Sequence, residues 1–422
     1  MEALETAGRR QALYLAAQAV QQRLNADHSD GDPSQPPCGC GRLVRYIGRR
    51  SKTFVSILGP LVLERAYFHC SECGHGFCPR DRQLGLTDTH LSPAVTRMIA
   101  TVGAMVSFEE GSQLLIELAA VPIDAKQVER TAEALGAEVA EAEKSDVHPS
   151  HQEPLPSTLY LGLDGTGIPM RAAEVKDRAG KQPDGSAKTR EVKLCTVWSA
   201  ESRDAENIPV RDKGSVTYTA AIESAAALDT DPAPAAFTQR VWREASRRRF
   251  TEATRMVVIG DGAPWIWNIA QELFPRATQI VDRFHVKQHL SDVAKAIFPA
   301  NSPEQKPWAS LRHEELDEGR LVDLVRALRC QINRSDEVRK CLHYIIRNRH
   351  RMRYSRFRLL GLCTSSGVVE AGCKVAIGTR LKRAGMHWTF RGSNAIIALR
   401  CSKLSGRFQD FWEHRTDQAR AA

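Results

Sequence analysis

The apolar positions of this chain change their period along its length, and each change marks a boundary. Residues 1 to 25 carry apolar side chains at helical spacing and read as an amphipathic helix, which the Asp-, Ser- and Pro-rich stretch ADHSDGDPSQPP breaks. From Thr53 to Phe68 the run TFVSILGPLVLERAYF is rich in strand formers and has Gly-Pro at its middle, which predicts a hairpin. Residues 91 to 143 return to helical spacing in LSPAVTRMIATVGAM, SFEEGSQLLIELA and KQVERTAEALGAEVAEAEK, with Ser107 and Asp124 as N-caps. The last two segments, joined by VPIDA, resemble a helix-turn-helix, and a plain helical hairpin fits the same pattern.

Past the linker SDVHPSHQEPLPS the pattern alternates. A strand is expected at 158 to 164, then a turn, a second strand, a Gly- and Lys-rich loop at AGKQPDGSAKTR and a strong strand in EVKLCTVWSA. A helix around Phe237 to Phe250 precedes a buried strand at Met256 to Ile259, a helix at Trp265 to Phe274, a strand at Thr278 to Val281 and a helix from Phe284. Antiparallel strands followed by strand-helix alternation indicate an α/β fold, a mixed sheet flanked by helices. Residues 290 to 358 are helical and basic, with no strand candidate, and read as an all-α insertion.

At 422 residues, with 42% hydrophobic and 26% charged content, the chain has room for two or three domains and the composition of an ordinary soluble protein. No apolar run approaches the roughly 18 residues of a membrane-spanning helix. Acids precede the first apolar stretch, unlike a signal peptide, so the expectation is a cytoplasmic protein with no membrane partner. The net charge is +9, and the excess gathers in the C-terminal third, which favours an anionic partner. Between Arg347 and Arg407 the only acid is Glu370, set among fourteen lysines and arginines. A lone carboxylate in a polyanion-binding surface needs a reason.

Two upstream aspartates supply one. Asp164 in LYLGLDGTG and Asp261 in RMVVIGDGA each follow an apolar strand-like run. Glycine follows each, so either one alone reads as a turn residue. Taken with Glu370 they form a candidate metal-binding triad. On neighbouring strands two carboxylates about 4 Å apart repel by roughly 4 kcal/mol at an effective dielectric near 20, which divalent cations would offset. Magnesium suits such a site, and a pair of ions can serve an in-line phosphodiester displacement.

Eleven cysteines, five of them between Cys38 and Cys78, point to metal ligands or buried thiols rather than a disulfide framework. Cys38 and Cys40 in PPCGCGR, with Cys70 and Cys73 in HCSECGHGFC, offer four thiolates for tetrahedral zinc, brought together by the intervening hairpin. The C-x-C half departs from the usual spacing, so His75 or Cys78 could substitute. The other six cysteines, Cys373 among them, read as buried thiols.

The segments LYLGLDGTGIPM, MVVIGDGAPWIWNIAQELFP, IVDRFHVKQHL and SSGVVEAGCKVAIGTRLKRAGMHWTFRG resemble blocks of the DDE transposases of bacterial insertion sequences, in the group sometimes called the Kra family. The resemblance runs over nearly the whole chain, including the cysteine-rich N-terminus ending in GHGFCPRD. It implies a ribonuclease H-like core, a five-stranded mixed sheet with helices on both faces, in which Asp164, Asp261 and Glu370 hold two magnesium (or manganese) ions. Within IVDRFHVKQHL, Asp282 and His285 match a D-x-x-H element, which implies a role in orienting phosphate or metal; an exposed helical face or a core histidine is the plain alternative for His285. Lys374, Arg380, Lys382, Arg383 and Arg391 are expected to hold DNA phosphates, and Trp388 either stacks on a displaced base or is a core tryptophan.

The implied layout is an N-terminal helix and linker (1–35), a zinc ribbon (36–85), a helical DNA-binding region (86–145), the first part of the catalytic core (155–289), the all-α insertion (290–360), a C-terminal catalytic helix region (361–410) and a tail (411–422). The implied function is a transposase that binds double-stranded element ends and target DNA as a homodimer or higher oligomer in the bacterial nucleoid, hydrolysing phosphodiesters and then transferring strands. Two other readings remain: a non-catalytic DNA-binding regulator descended from a transposase, and an acetate/hexokinase-type kinase, whose phosphate-binding turn D-G-T-G resembles.

Overall fold

The protein is described by a computed structural model covering residues 1–31, 38–145, 154–176, 189–226, 233–365 and 367–421. Nearly all of the expected loop AGKQPDGSAKTR and parts of both linkers lie outside the described residues. The chain divides into two units, Met1–Val139 with Arg407–Ala422, and Ala140–Gly406.

The first unit starts with helix α1 (Glu2–Ala26), along which only Ala17 is buried. The apolar contact is narrow, with Ala17 and Leu24 packing into the cluster of Phe54, Leu61, Leu63 and Leu86, and polar side chains add to it. The partner of α1 is the hairpin of β1 (Arg45–Ser56) and β2 (Gly59–His69), joined by the short strand β3 (Gly76–Phe77) in the order β1-β2-β3. Strand β3 pairs only with Phe68 and His69, which leaves the rest of that edge of β2 without a strand. Side chains fill the gap: Gln21 accepts from the Val62 N–H at 2.7 Å, Asn25 from the Glu64 N–H at 3.0 Å, and the buried Asp30 from the Ala66 N–H at 2.9 Å. An edge satisfied in this way cannot recruit a foreign strand. Helix α2 (Pro79–Gln83) follows, then α3 (Pro93–Met105), α4 (Phe108–Ala119) and α5 (Ala125–Ser145) around a core that includes Val95, Ile99, Leu115 and Val128. Both expected N-caps form. Ser107 and Glu110 make a reciprocal capping box, and the Asp124 carboxylate accepts from the Gln127 N–H at 2.9 Å; each cap contributes about 1 kcal/mol.

The second unit is built on β4 (Thr158–Pro169), β5 (Thr189–Ser199), β6 (Thr217–Ala221), β7 (Arg255–Gly260) and β8 (Thr278–Val281), in the order β6-β5-β4-β7-β8. The β6-β5-β4 pairs are antiparallel and the β4-β7 and β7-β8 pairs parallel, as a mixed sheet requires. One expectation is corrected. There is no turn at Asp164: β4 runs straight through it and pairs with β5 from Leu159↔Ser199 to Pro169↔Thr189. The glycines that suggested a turn serve close approach instead, since a Cβ on Gly165 would lie 2.4 Å from Glu191 Oε1 and one on Gly167 2.9 Å from Thr189 Oγ1. The fifth strand is β6, which the sequence reading passed over.

Helix α6 (Ala236–Arg247) covers one face, where Arg240 donates to Thr219 Oγ1 at 3.2 Å beside the Leu163, Cys195 and Thr219 row. Helix α7 (Pro264–Leu273) follows β7, and α8 (Arg283–Ile297) follows β8. The expected all-α insertion is present as α9 (Gln305–Asp317), α10 (Leu321–Cys330), α11 (Asp336–Asn348) and α12 (Tyr354–Leu359), whose buried Leu316, Leu328, Ile345 and Tyr354 join the same core as the sheet. Helix α13 (Gly367–Gly372) runs into a π-helical turn, Cys373–Gly378, then α14 (Thr379–Leu381) and α15 (Phe390–Leu404). Asn394 and Ser405 accept from the Ile222 and Tyr218 N–H groups at 2.8 Å each and so close the β6 edge. Helix α16 (Phe408–Ala421) belongs to the first unit. No helix among the described residues is long and apolar enough to cross a membrane.

Candidate active site and thiol cluster

The parallel half of the sheet sets three aspartates in a row. Leu163 pairs with Gly260 and Gly260 with Val281, so the last rung of β4, β7 and β8 is shared. The next residues are Asp164, Asp261 and Asp282. Strands lie about 4.8 Å apart, so the backbones of the last paired residues, which these aspartates follow, are about one strand spacing apart. Apolar runs before each of them bury the strands and deliver the acids to the carboxyl edge, where functional groups gather in α/β sheets.

Each aspartate is held differently. Asp164 accepts from the Gly165 N–H at 2.7 Å. Asp261 lies in a bend, with Gly262 at φ +100°, and accepts from the Ala263 N–H at 2.9 Å at the start of α7, so its turn reading stands. Asp282 is buried, donates its N–H to the Gly260 carbonyl at 2.8 Å and caps α8 through the Phe284 N–H at 2.8 Å. Its second oxygen is 3.8 Å from His285 Nε2, close enough for charge interaction with the imidazole but beyond hydrogen-bond distance. Burial raises the Asp164 carboxyl above its ordinary value; a hydrogen bond to the Cys373 thiol and the Gly165 N–H oppose this, the Asp261 charge adds to it, and His285 opposes it.

Helix α13, which carries Glu370, lies on the face toward which Asp164 projects. Gly162, two residues before Asp164, makes room for it: a Cβ there would fall 2.1 Å from Val369 Cγ2. A Cβ on Gly372 would lie 3.0 Å from Leu194 Cδ2 and 3.2 Å from Thr196 Cγ2, and these two residues pair laterally with Asp164 and Gly162. Glu370 itself is exposed. The carboxylates of residues 164, 261 and 370 do not close into a group with ligand atoms within 4.8 Å of one another; among the described residues the four cysteines alone do so. The donor set is nonetheless all hard oxygen, which suits magnesium or manganese.

Two residues at this site had no reading beyond packing in the sequence. Cys373, three residues after Glu370, is buried, and burial followed by the Asp164 charge pushes its thiol well above the ordinary range. Tyr344, from α11 of the insertion, donates its hydroxyl to the Asp261 carbonyl at 2.6 Å. Its ring fills the space over Gly262, where a Cβ would lie 2.4 Å from Cε2, and lies 4.7 Å from the His289 ring. The E-x-x-C spacing could have flagged Cys373; nothing local flags Tyr344.

The expected phosphate ligands divide. Lys374, Lys382, Arg383 and Arg391 are exposed, and Lys382 donates to Thr166 Oγ1, on the same row of β4 as Asp164. Arg380 and Trp388 are buried. The Trp388 indole donates to the Leu381 carbonyl at 3.0 Å with the Arg380 guanidinium 5.2 Å from its ring centroid, while its backbone bridges Pro169 and Arg171. An indole anchored this way is core, which selects the core reading of Trp388 over base stacking, and the buried Arg380 departs from the expected phosphate contact.

In the first unit Cys38, Cys40, Cys70 and Cys73 come together, with sulfur separations of 3.5 Å for Cys38–Cys73 and 3.7 Å for Cys40–Cys70. Tetrahedral zinc with bonds near 2.3 Å has sulfur-sulfur edges of about 3.8 Å, so the four thiols fit that ion. Two tight turns build the group: the Gly41 N–H meets the Cys38 carbonyl at 2.7 Å and the Gly74 N–H the Cys70 carbonyl at 3.0 Å, both glycines at positive φ. Hydrogen bonding from the Cys73 N–H leads in bringing the Cys70 thiol down to about 7. His75 stacks on Phe77 instead, and Cys78 stands at the start of α2.

The model of an uncharacterised protein family, UPF0236, matches residues 242–415, a span that includes Asp261, Asp282, His285 and Glu370 and leaves out Asp164 and the four cysteines. No curated protein matches the chain. Among solved structures, a Drosophila P element transposase strand transfer complex aligns at 10% identity over 80% of this chain and 84% of that chain, with a TM-score of 0.24, a level at which the likeness is no guide to fold.

Proposed function

We propose that the chain is a DDE-type transposase of a bacterial insertion sequence, cutting and joining DNA with divalent metal ions on a ribonuclease H-like core. The observation that carries this reading is the parallel pair Leu163↔Gly260, directly after which Asp164 and Asp261 follow on neighbouring strands, with the Glu370 helix packed over Gly162 on the Asp164 face. The sheet order, three antiparallel strands continued by two parallel ones, supports the same core.

In this reading Asp164, Asp261 and Glu370 would hold two magnesium or manganese ions. The ions would offset the carboxylate repulsion and take phosphate oxygens of the scissile bond. The chain's own groups do the rest. Gly165 and Ala263 N–H groups fix the rotamers of the two aspartates, and Cys373 donates to Asp164. His285, 3.8 Å from Asp282, would meet the phosphate, while Lys374, Lys382, Arg383 and Arg391 would neutralise the backbone on either side. The four thiolates hold a structural zinc that stabilises the N-terminal unit, which with the α4–α5 pair grips the element ends.

Positioning and electrostatics supply most of phosphoryl-transfer catalysis, so Glu370→Gln should keep duplex binding and lose at least about 100-fold in magnesium-dependent nicking of terminal DNA. A Glu370→Gln protein that nicks at the wild-type rate refutes the reading. A second reading, a non-catalytic DNA-binding regulator, is favoured by one observation: the exposed Glu370 stands outside any closed ligand group. It predicts binding and no metal-dependent cleavage by the wild type. The kinase reading loses its support, because D-G-T-G is extended strand and forms no phosphate-binding turn.

A further inference from the structure

The insertion treats its cations in two ways. On most of its surface they are matched at short range by acids: Arg320 with Glu318, Arg326 with Asp323, Arg339 with Asp336 and Lys340 with Glu337. Such exposed pairs are nearly neutral in energy and cancel in charge. At the end of α11 the pattern stops. Arg347, Arg349, His350, Arg353 and Arg356 are all exposed, and none has an acidic partner among the described residues. Their positive charge is felt locally: after the burial it has, the charges of Arg351, Arg353 and Arg349 hold the His350 imidazole below its ordinary value.

This turn is also fixed to the sheet. Arg351 points inward, donating to Gln279 Oε1 on β8 at 2.7 Å and to Asn348 Oδ1 at 3.1 Å, with its guanidinium 4.4 Å from the Trp267 ring centroid. The buried Tyr354 hydroxyl donates to the Val281 carbonyl at 2.9 Å. The patch therefore hangs between two anchors on β8, whose next residue is Asp282. From Gln279 to Asp282 is three residues of strand, about 10 Å, comparable to the spacing over which charges act at physiological salt. Rigid guanidinium groups suit phosphate oxygens better than they suit bulk water.

We propose that Arg347, Arg349, Arg353 and Arg356 form a second DNA-backbone contact, carried by the insertion, which holds duplex DNA running on from the aspartate row. The proposal rests on the DNA reading above and adds a binding surface apart from Lys374, Lys382, Arg383 and Arg391. Each phosphate neutralised on B-form DNA adds about 0.9 to the slope of log affinity against log salt. The test is fluorescence anisotropy of the full chain with a labelled duplex over about 50 to 200 mM salt. The variant Arg347→Ala/Arg349→Ala/Arg353→Ala/Arg356→Ala should flatten that slope by about 2 to 4. A control removing four paired cations, Arg320→Ala/Arg326→Ala/Arg339→Ala/Lys340→Ala, carries the same loss of charge and should change the slope by less than about 1.

Thermal unfolding of both variants checks that they fold, and exposed substitutions of this kind leave the midpoint near that of the wild type. Equal slopes for the two variants overturn the proposal. So does loss of affinity for an RNA duplex with the DNA slope untouched. Wild-type protein that fails to bind duplex DNA at all overturns the DNA reading itself, a distinct result.

Discussion

A single methyl group at Gly162 tests whether the seat of the Glu370 helix matters. An added Cβ would lie 2.1 Å from Val369 Cγ2 and 2.8 Å from both Thr196 Oγ1 and Trp198 Cζ3. Carbon atoms settle at about 3.5 to 4.0 Å, so Gly162→Ala forces α13 outward by on the order of 1.5 Å or strains the sheet. Overpacking of this kind costs about 1 to 3 kcal/mol. The stiffer unfolded chain returns about 0.4 to 1 kcal/mol, which leaves a net loss near 1 to 2. Activity should suffer more than stability. Glu370 follows Val369 directly, and a misplacement of about 1 Å in a catalytic group can cost on the order of 100-fold.

Val369→Ala removes the atom that clashes worst, so the double variant should recover much of the nicking rate, with the Thr196 and Trp198 contacts limiting the rescue. Urea midpoints and initial rates of magnesium-dependent nicking, measured on the same preparations, separate the two effects. A Gly162→Ala protein with wild-type stability and rate, or a double variant no better than the single, would show that the α13 seat does not set the site.

Other consequences can be checked independently. Tyr344→Phe keeps the ring over Gly262 and removes the hydrogen bond to the Asp261 carbonyl, costing about 1 kcal/mol; the manganese concentration for half-maximal nicking should rise several-fold, and an unchanged midpoint would reduce Tyr344 to packing. Burial raises the Asp164 carboxyl above its ordinary 3.8, so without metal ions the native state binds that proton more tightly than the unfolded chain does. The cost of the charged form is then fully present above the native pKa and relieved as pH falls through it, so Asp164→Asn should raise the metal-free thermal midpoint near neutral pH and lose that advantage in acid. A midpoint that does not respond to pH in this way contradicts the electrostatic account. Purified protein should carry about one zinc per chain by elemental analysis, and Cys70→Ser should abolish it and unfold the N-terminal unit; retention of zinc in that variant would remove the Cys38, Cys40, Cys70 and Cys73 assignment.

The elements most readable in the sequence were those whose signals are local. Ser107 with Glu110 spells a capping box, and Cys38, Cys40, Cys70 and Cys73 flank one hairpin, so chain geometry alone brings them together. The strand Met256 to Ile259 is apolar, and Thr278 to Val281 ends in Ile280 and Val281, because Val257, Val258, Ile259, Ile280 and Val281 are buried in the parallel half of the sheet. Misreadings came where a residue serves a neighbour distant in sequence. Gly165 and Gly167 look like turn formers until Glu191 and Thr189 are found beside them. Thr217 to Ala221 is short and ends in two alanines, so β6 owes its place to pairing with β5 and to Asn394 and Ser405 rather than to propensity. Trp388 and Arg380 sit in a run of cations and glycines, and their burial depends on the end of β4 packing against them. For the candidate site, the sequence suggests that the strands leading to Asp164 and Asp261 are neighbours, and β4 and β7 do pair, whereas Tyr344 comes from an insertion no local pattern connects to Asp261.

The central claim is that Asp164, Asp261 and Glu370 share divalent ions. Crystals of the full chain grown with manganese, measured at its absorption edge, address it directly. The account predicts anomalous density within about 2.2 Å of oxygens from all three carboxylates, with Glu370 swung inward from its exposed position. Manganese bound elsewhere, or bound by the two aspartates while Glu370 stays in solvent, would contradict it.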